Sequence, residues 1–303
     1  MKNKKISTFF GKEGTQGWLM ILPNALGLLI FYLIPIVCSV VLAFYKWDGL
    51  SKLKYVGFAN FQTLLTDQTF IYSLRNTLYY SLMVVPAIII LVLIFGVALA
   101  NDEIFGVEKL RTLYFLPLMT MPVAATLVWK WLLNRDYGLL NNFLSIFNIP
   151  SVSWISDPNF VLISVAMIGI WTAVAYDLII VISGIKGISP VYYEAAKIDG
   201  ASKTRQFFSI TLPLLTPTLF FIVITQLIGC FQVFDSVSII LGGDAPPAAL
   251  KNATTTVVLS IYQNGFSYFK MGYASSQSFV LFLIILIITA AQFKLQKKWV
   301  HYA

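Results

Sequence analysis

Six apolar runs dominate the chain, at about residues 18–45, 76–100, 112–133, 159–185, 214–234 and 274–293. Each reaches the length of about 20 residues that a helix needs to cross the hydrocarbon core of a bilayer. In lipid a helix satisfies every backbone N–H and C=O within its own segment, so runs of this kind are expected to span as helices. The expected fold class is all-α: a polytopic membrane protein with six transmembrane helices. Hydrophobic residues make up 58% of the 303 and charged residues only 11%, with a mean hydropathy of +0.80. A soluble domain carries about 25% charged residues, so that class is excluded. The net charge of +8 then reflects basic loops on one membrane face, and no nucleic-acid partner is expected.

Residues 1–17 form a basic N-terminal segment with Lys2, Lys4, Lys5 and Lys12. The first run exceeds the roughly 7–15 residues of a signal-peptide core and lacks a clear cleavage site, so a retained helix is expected, kinked at Pro23 and Pro35. Residues 46–75 are polar and mixed, and VGFANF reads as a short surface segment. The third run contains Pro117 and Pro122, and Trp129, Trp131 and Tyr137 at its end suit the headgroup zone. Loop 134–158 is too short for a folded domain, and 235–273 carries the turn-rich LGGDAPP. Cys38 and Cys230 lie in apolar runs and read as small core residues. The lone His301 argues against imidazole catalysis or a zinc cluster. Six spans put both termini on one side, which holds 13 of the 21 Lys and Arg and leaves 8 on the other. That excess predicts cytoplasmic termini, with residues 295–303 as a cytoplasmic tail.

Between the fourth and fifth runs lies SPVYYEAAKIDGASKTRQFFSITLP, residues 189–213. Ser189 and Pro190 are expected to open a short helix that Asp199-Gly200 ends, since glycine takes a left-handed turn at least cost. Ser202 is expected to cap a second short helix through Arg205 to Phe208, with Pro213 opening the next apolar run. Glu194-Ala195-Ala196, Gly200, and Ile210-x-Leu212-Pro213 fill every defined position of an EAA-x3-G-x9-I-x-L-P pattern.

On these residues the chain resembles the permease subunits of binding-protein-dependent ABC importers, in their sugar and glycerol-3-phosphate branch. The resemblance runs from about Trp18 to the end. It implies the type I importer permease fold over 18–294, with 189–213 as a cytoplasmic coupling loop. It also implies a second, homologous permease, two ATPase subunits and an extracytoplasmic solute-binding protein. No G-x-x-x-x-G-K-[ST] occurs, so ATP and Mg are expected on the ATPase partners, with no cofactor in this chain. Coupling to the ATPase is expected from Glu194, Ala195, Ala196, Asp199, Gly200, Ile210, Leu212 and Pro213. In that loop the two alanines allow close approach and Glu194 pairs with a basic partner residue. Tyr192-Tyr193 reads as interface anchoring.

Polar residues within the spans mark the expected substrate path, since each is costly in lipid. They are Trp171, Thr172, Tyr176 and Asp177 on the fourth run, with Thr225, Gln226, Gln232 and Asp235 on and just after the fifth. Together they supply the hydrogen-bonding groups and flat rings that a sugar needs. In maltose-type relatives the sugar contacts lie on these two helices, and Tyr176 aligns with an aromatic contact. Asn76, Thr77, Gln277 and Ser278 read instead as helix-packing groups. Glycerol-3-phosphate is the alternative cargo, disfavoured by the lack of clustered Arg or Lys. Two other classes stand beside the importer: an ion-coupled transporter using Asp177 and Asp235, and an intramembrane enzyme, for which no nucleophile and base cluster.

Overall fold

The computed structural model describes residues 13–242 and 247–301. Among them five helices are long and apolar enough to span a bilayer, or six if one bent pair counts as a span. The chain divides into two compact units: residues 1–65 with 264–279, and residues 66–263 with 280–303.

In the first unit, α1 (Glu13–Leu28) and α2 (Ile34–Leu42) run on through one π-helical stretch, Leu29–Leu33. Pro35 stands at the start of α2 and supplies no N–H, which suits a widened turn just before it. This helix shows Trp18, Met20, Phe31 and Tyr32 on its surface, as a lipid-facing helix does. Cys38 is exposed as well, which corrects the reading of it as a core residue. Next, β1 (Tyr45–Lys46) pairs antiparallel with β2 (Lys54–Tyr55), Tyr45 opposite Tyr55. Asp48 closes the turn between them by accepting from the N–H groups of Ser51 at 2.7 Å and Leu50 at 3.0 Å. Those backbone bonds lower its carboxyl to a pKa of about 2. VGFANF leads into a helix rather than a plain surface segment: α3 (Ala59–Thr66) begins there, and Asn60 donates to the carbonyls of Ala43 and Tyr45.

The second unit is built on α4 (Gln68–Ala100), capped by Asp67, which accepts from the N–H of Thr69 at 2.8 Å. The third run is not one straight span. It breaks into α5 (Val107–Met119) and α6 (Pro122–Leu132), bent by 102°. The cause is Pro122, whose ring drives Met121 out of the helical region to ψ 129°. Trp129 turns inward onto Trp171, ring centroids 5.9 Å apart, while Trp131 and Tyr137 remain exposed. After α6 comes α7 (Leu139–Ser145), in a loop that buried Asn141 holds through Val152 and the indole N–H of Trp154.

The fourth span, α8 (Val161–Lys186), packs along α4 with Val165, Leu178 and Val181 fully buried. Small residues set the spacing. A Cβ on Gly96 would sit 2.6 Å from Val181, and one on Gly184 would sit 2.8 Å from Leu215 and Thr218. Then follow α9 (Pro190–Ile198), α10 (Lys203–Gln206), a π-helical turn at Phe207–Thr211, and α11 (Leu212–Phe231). Since these last three are continuous, the fifth span starts near Lys203, about three turns before the expected 214.

The long loop after it is largely helical. It forms α12 (Asp235–Leu241), α13 (Ala248–Thr254) and α14 (Val257–Tyr262), and most of LGGDAPP falls on 243–246, outside the described residues. Asn76 and Thr77 are packing groups, as expected: Asn76 donates to the carbonyls of Asn252 and Thr255, and Thr77 accepts from the N–H of Val257. The sixth span, α15 (Met271–Gln296), belongs to both units, and in the first its Gln277 accepts from Asn264 at 3.2 Å.

Candidate functional site

Two features of the second unit collect the polar chemistry of the chain. The first is α9. Ser189 precedes it in extended backbone and Pro190 opens it, although the Ser189 hydroxyl makes no capping bond. Gly200 ends it at φ +72°, where the N–H of Ala201 reaches the carbonyl of Ala196 at 2.9 Å and that of Gly200 reaches Lys197 at 3.1 Å. This pair of bonds is a Schellman turn and uses a conformation that a β-branched residue resists. Ser202 then accepts from the N–H of Arg205, as expected, but the helix it caps continues into the fifth span. The expected pair of short helices is therefore one short helix joined by a tight turn to a long one.

The α9 surface is open. Val191, Tyr192, Glu194, Ala195 and Ile198 are exposed, Ile198 at 88%, and Glu194 has no ion-pair partner among the described residues. Tyr193 departs from the anchoring role expected of Tyr192-Tyr193. It is half-buried, its hydroxyl 2.9 Å from that of Thr211, and it fastens α9 to the fifth span from within. Beside α9 a cleft of about 200 Å³ is lined by Ala196, Asp199, Arg205 and Ile210, among others. Leu212 and Pro213 are half-buried at the head of α11.

Charged residues brace this end. Asp102 meets Arg111 at 2.7 Å and Lys186 at 2.8 Å, and Arg111 also donates to the carbonyl of Leu99 at the end of α4. Hydrogen bonds from Lys186 and then Arg111 hold the Asp102 carboxyl below the usual carboxylate range. The ends of α4 and α8 are thereby tied together just before α9.

The second feature is a cleft of about 280 Å³ between α4, α6, α8, α11 and the start of α12. Thr172, Gln226, Gln232 and Asp235 line it together. Gln232 is there because α11 stops at Phe231, and Asp235 because α12 starts afresh. The remaining expected path residues do not line it. Trp171 stacks edge-on with Trp129, Thr225 bonds to the carbonyls of Phe221 and Ile222, and Tyr176 is 49% exposed. Asp177 is fully buried and accepts from the Gln226 amide at 2.8 Å; its Oδ1 has no partner among the described residues.

The sequence reading missed Tyr80, Pro122, Thr126 and Gly169, which also line the wall. A hydroxyl in the second run, one turn past Asn76 and Thr77, was the signal available for Tyr80. The wall offers amide, hydroxyl and carboxylate groups and no basic side chain.

A family model described as "Binding-protein-dependent transport system inner membrane component" matches residues 76–301, a stretch that contains both features. The chain belongs to this family. Such a member is a permease subunit of an ABC transporter, held in the inner membrane. Across nearly its whole length it is 34% identical to the "Probable ABC transporter permease protein YesP" of Bacillus subtilis (strain 168), covering 98% of this chain and 96% of that one. It is also 34% identical to the "Lactose transport system permease protein LacF" of Rhizobium radiobacter, over 92% and 93% of the two chains. A chain of the crystal structure of a bacterial ABC transporter that imports the acidic polysaccharide alginate superposes with a TM-score of 0.79 at 24% identity. That match covers 93% of this chain and 94% of the other, and it shows that the two permeases share a fold.

Proposed function

We propose that this permease carries a neutral saccharide inward by alternating access. In this reading one of two ATPase subunits docks on α9 and the other on the matching loop of a second permease, which completes the path, and a solute-binding protein delivers the cargo. The chain itself then hydrolyses nothing, and ATP and Mg belong to the ATPase subunits. The cleft wall carries the cargo part of the proposal. Amide and hydroxyl groups beside aromatic rings, with no cation, suit a polyhydroxylated neutral molecule better than a phosphate dianion. For the coupling part, α9 presents an exposed Ala195 and the Glu194 carboxylate, which has no ion-pair partner among the described residues, on a helix held by the Tyr193 hydroxyl and the Gly200 turn.

The closed ATPase pair would press on α9, and the braced ends of α4 and α8 would pass that movement to the packed helices as a rigid body. In this reading both termini are cytoplasmic, as the Lys and Arg excess on their side supports, and α9 then faces the ATPase subunits. Uptake of radiolabelled saccharides into cells that depend on this permease tests the reading. Uptake should require ATP and persist when an uncoupler collapses the proton gradient. Saccharide uptake that stops with the uncoupler while ATP is maintained would overturn it.

A further inference from the structure

We propose that Tyr80 is a substrate-recognition residue, its hydroxyl bonding to a hydroxyl of the cargo in the cleft. This rests on the saccharide reading above and extends it to a third long helix, α4. Tyr80 is only 4% exposed, yet among the described residues its hydroxyl has no hydrogen-bond partner. The oxygen is not among the sealed side-chain oxygens that lack a partner, so it reaches the open space of the cleft, where a phenol can take one. The hydroxyl is not sealed within the protein. Tyr80 forms part of the cleft wall and its oxygen lies over Gly169, itself on the wall. A Cβ at position 169 would collide with that oxygen, so the glycine leaves the room in which the hydroxyl sits.

Thr172, Gln226 and Gln232 line the same cleft. Thr172 spends its proton on the carbonyl of Ile168, and one Gln226 N–H is taken by Asp177. Tyr80 therefore presents an uncommitted O–H donor that can also accept, which matches the dual character of a sugar hydroxyl. The surrounding apolar wall, with Ile168, Val233 and Phe234, makes such a bond worth more than it would be in water.

Tyr80→Phe tests this, because it keeps the ring against Gly169 and removes only the oxygen. The measurement is initial uptake of a panel of radiolabelled mono- to tetrasaccharides by the complete transporter in cells, for wild type and variant. For the saccharide that wild type carries, the KM of Tyr80→Phe should rise roughly three- to tenfold, with membrane levels of the complex and ATPase co-purification unchanged. Among monodeoxy derivatives of that saccharide, one should be carried equally by wild type and Tyr80→Phe, because it lacks the bonded hydroxyl. An unchanged KM, or an equal penalty on every derivative, would overturn the inference and leave the saccharide reading standing. A wild-type complex that carries no saccharide would overturn both.

Discussion

The proposed docking helix and the polar cleft are built on opposite plans. The helix α9 is local: a proline opens it, a glycine closes it, and its functional face lies within nine residues. The cleft is assembled from five helices spread over the second unit, and of its polar groups Thr172 is held by its own backbone and Gln226 by the buried Asp177 behind the wall. One region is fixed by backbone conformation and shows its side chains outward. The other is fixed by helix packing and turns them in. A single substitution should therefore disable each region by a different route and leave the other intact.

The largest effect is expected from Gly200→Val. A left-handed residue that is not glycine costs about 1–2 kcal/mol, and β-branching adds to the strain. The Schellman bonds at Gly200 and Ala201 would be lost and α9 would swing away from its seat. Uptake should fall below about a tenth of wild type, a loss of ~1.4 kcal/mol or more, and the ATPase should no longer co-purify. Thermal unfolding of the apolar core should be unaffected. Full uptake with full ATPase recovery would break the comparison at its first term.

Gln226→Ala should come next, acting from the other side. It empties one position on the cleft wall and leaves the buried Asp177 carboxyl without its only hydrogen-bond donor among the described residues. Losing such a bond costs about 1–3 kcal/mol. The expected result is about a tenfold fall in uptake with a lowered melting temperature and normal ATPase co-purification. Loss of the ATPase from this variant would mean that the two regions are not separable.

The same contrast explains what the sequence made legible. The pattern from Glu194 to Pro213 is punctuated by residues whose backbone preferences act on near neighbours, so α9, its Gly200 stop and the Ser202 cap were all readable. The end of the short second helix was not, because no residue between Ser202 and Pro213 shows that the turn runs on through Phe207–Thr211. The break at Met121 was open to the same reasoning, since the residue before a proline is pushed to extended backbone. Yet the apolar run continues across it and hides it. Half of the expected path residues lie on the cleft wall and half do not. Thr172 and Thr225 look alike in sequence, and only the packing of α6 and α12 decides which of them faces the cleft. Tyr80 needed a partner helix, and Gly169 needed Tyr80, before either acquired meaning.

Tyr176→Ala sharpens the comparison at a smaller scale. Tyr176 is half exposed and lies off the cleft wall, so an aromatic contact with cargo would be made from its open face. Losing an aromatic platform of this kind is worth about 0.5–1.5 kcal/mol. KM for the carried saccharide should rise about threefold, with ATPase recovery unchanged. No change in KM would remove Tyr176 from the path and leave the cleft as the whole of this chain's contact.

The smallest effect is expected from Asp102→Asn, beside α9. Its carboxylate meets Arg111 and Lys186, but it is largely open to solvent, and exposed ion pairs contribute little. The paired carboxylate titrates below its ordinary value, so whatever stability it gives is fully present above that value. It is lost only as pH falls through the lowered pKa. Uptake and melting temperature measured near neutral pH should therefore change little. The variant should differ from wild type chiefly in a flatter acid limb of the stability profile. Raising salt to 1 M should narrow even that difference, since screening acts strongly on exposed charges. The buried Asp177–Gln226 bond should show no such salt response. If Asp102→Asn instead released the ATPase as completely as Gly200→Val, ion pairs rather than the left-handed turn would be setting the position of α9. The contrast between a backbone-fixed region and a packing-fixed one would then have to be redrawn around charge.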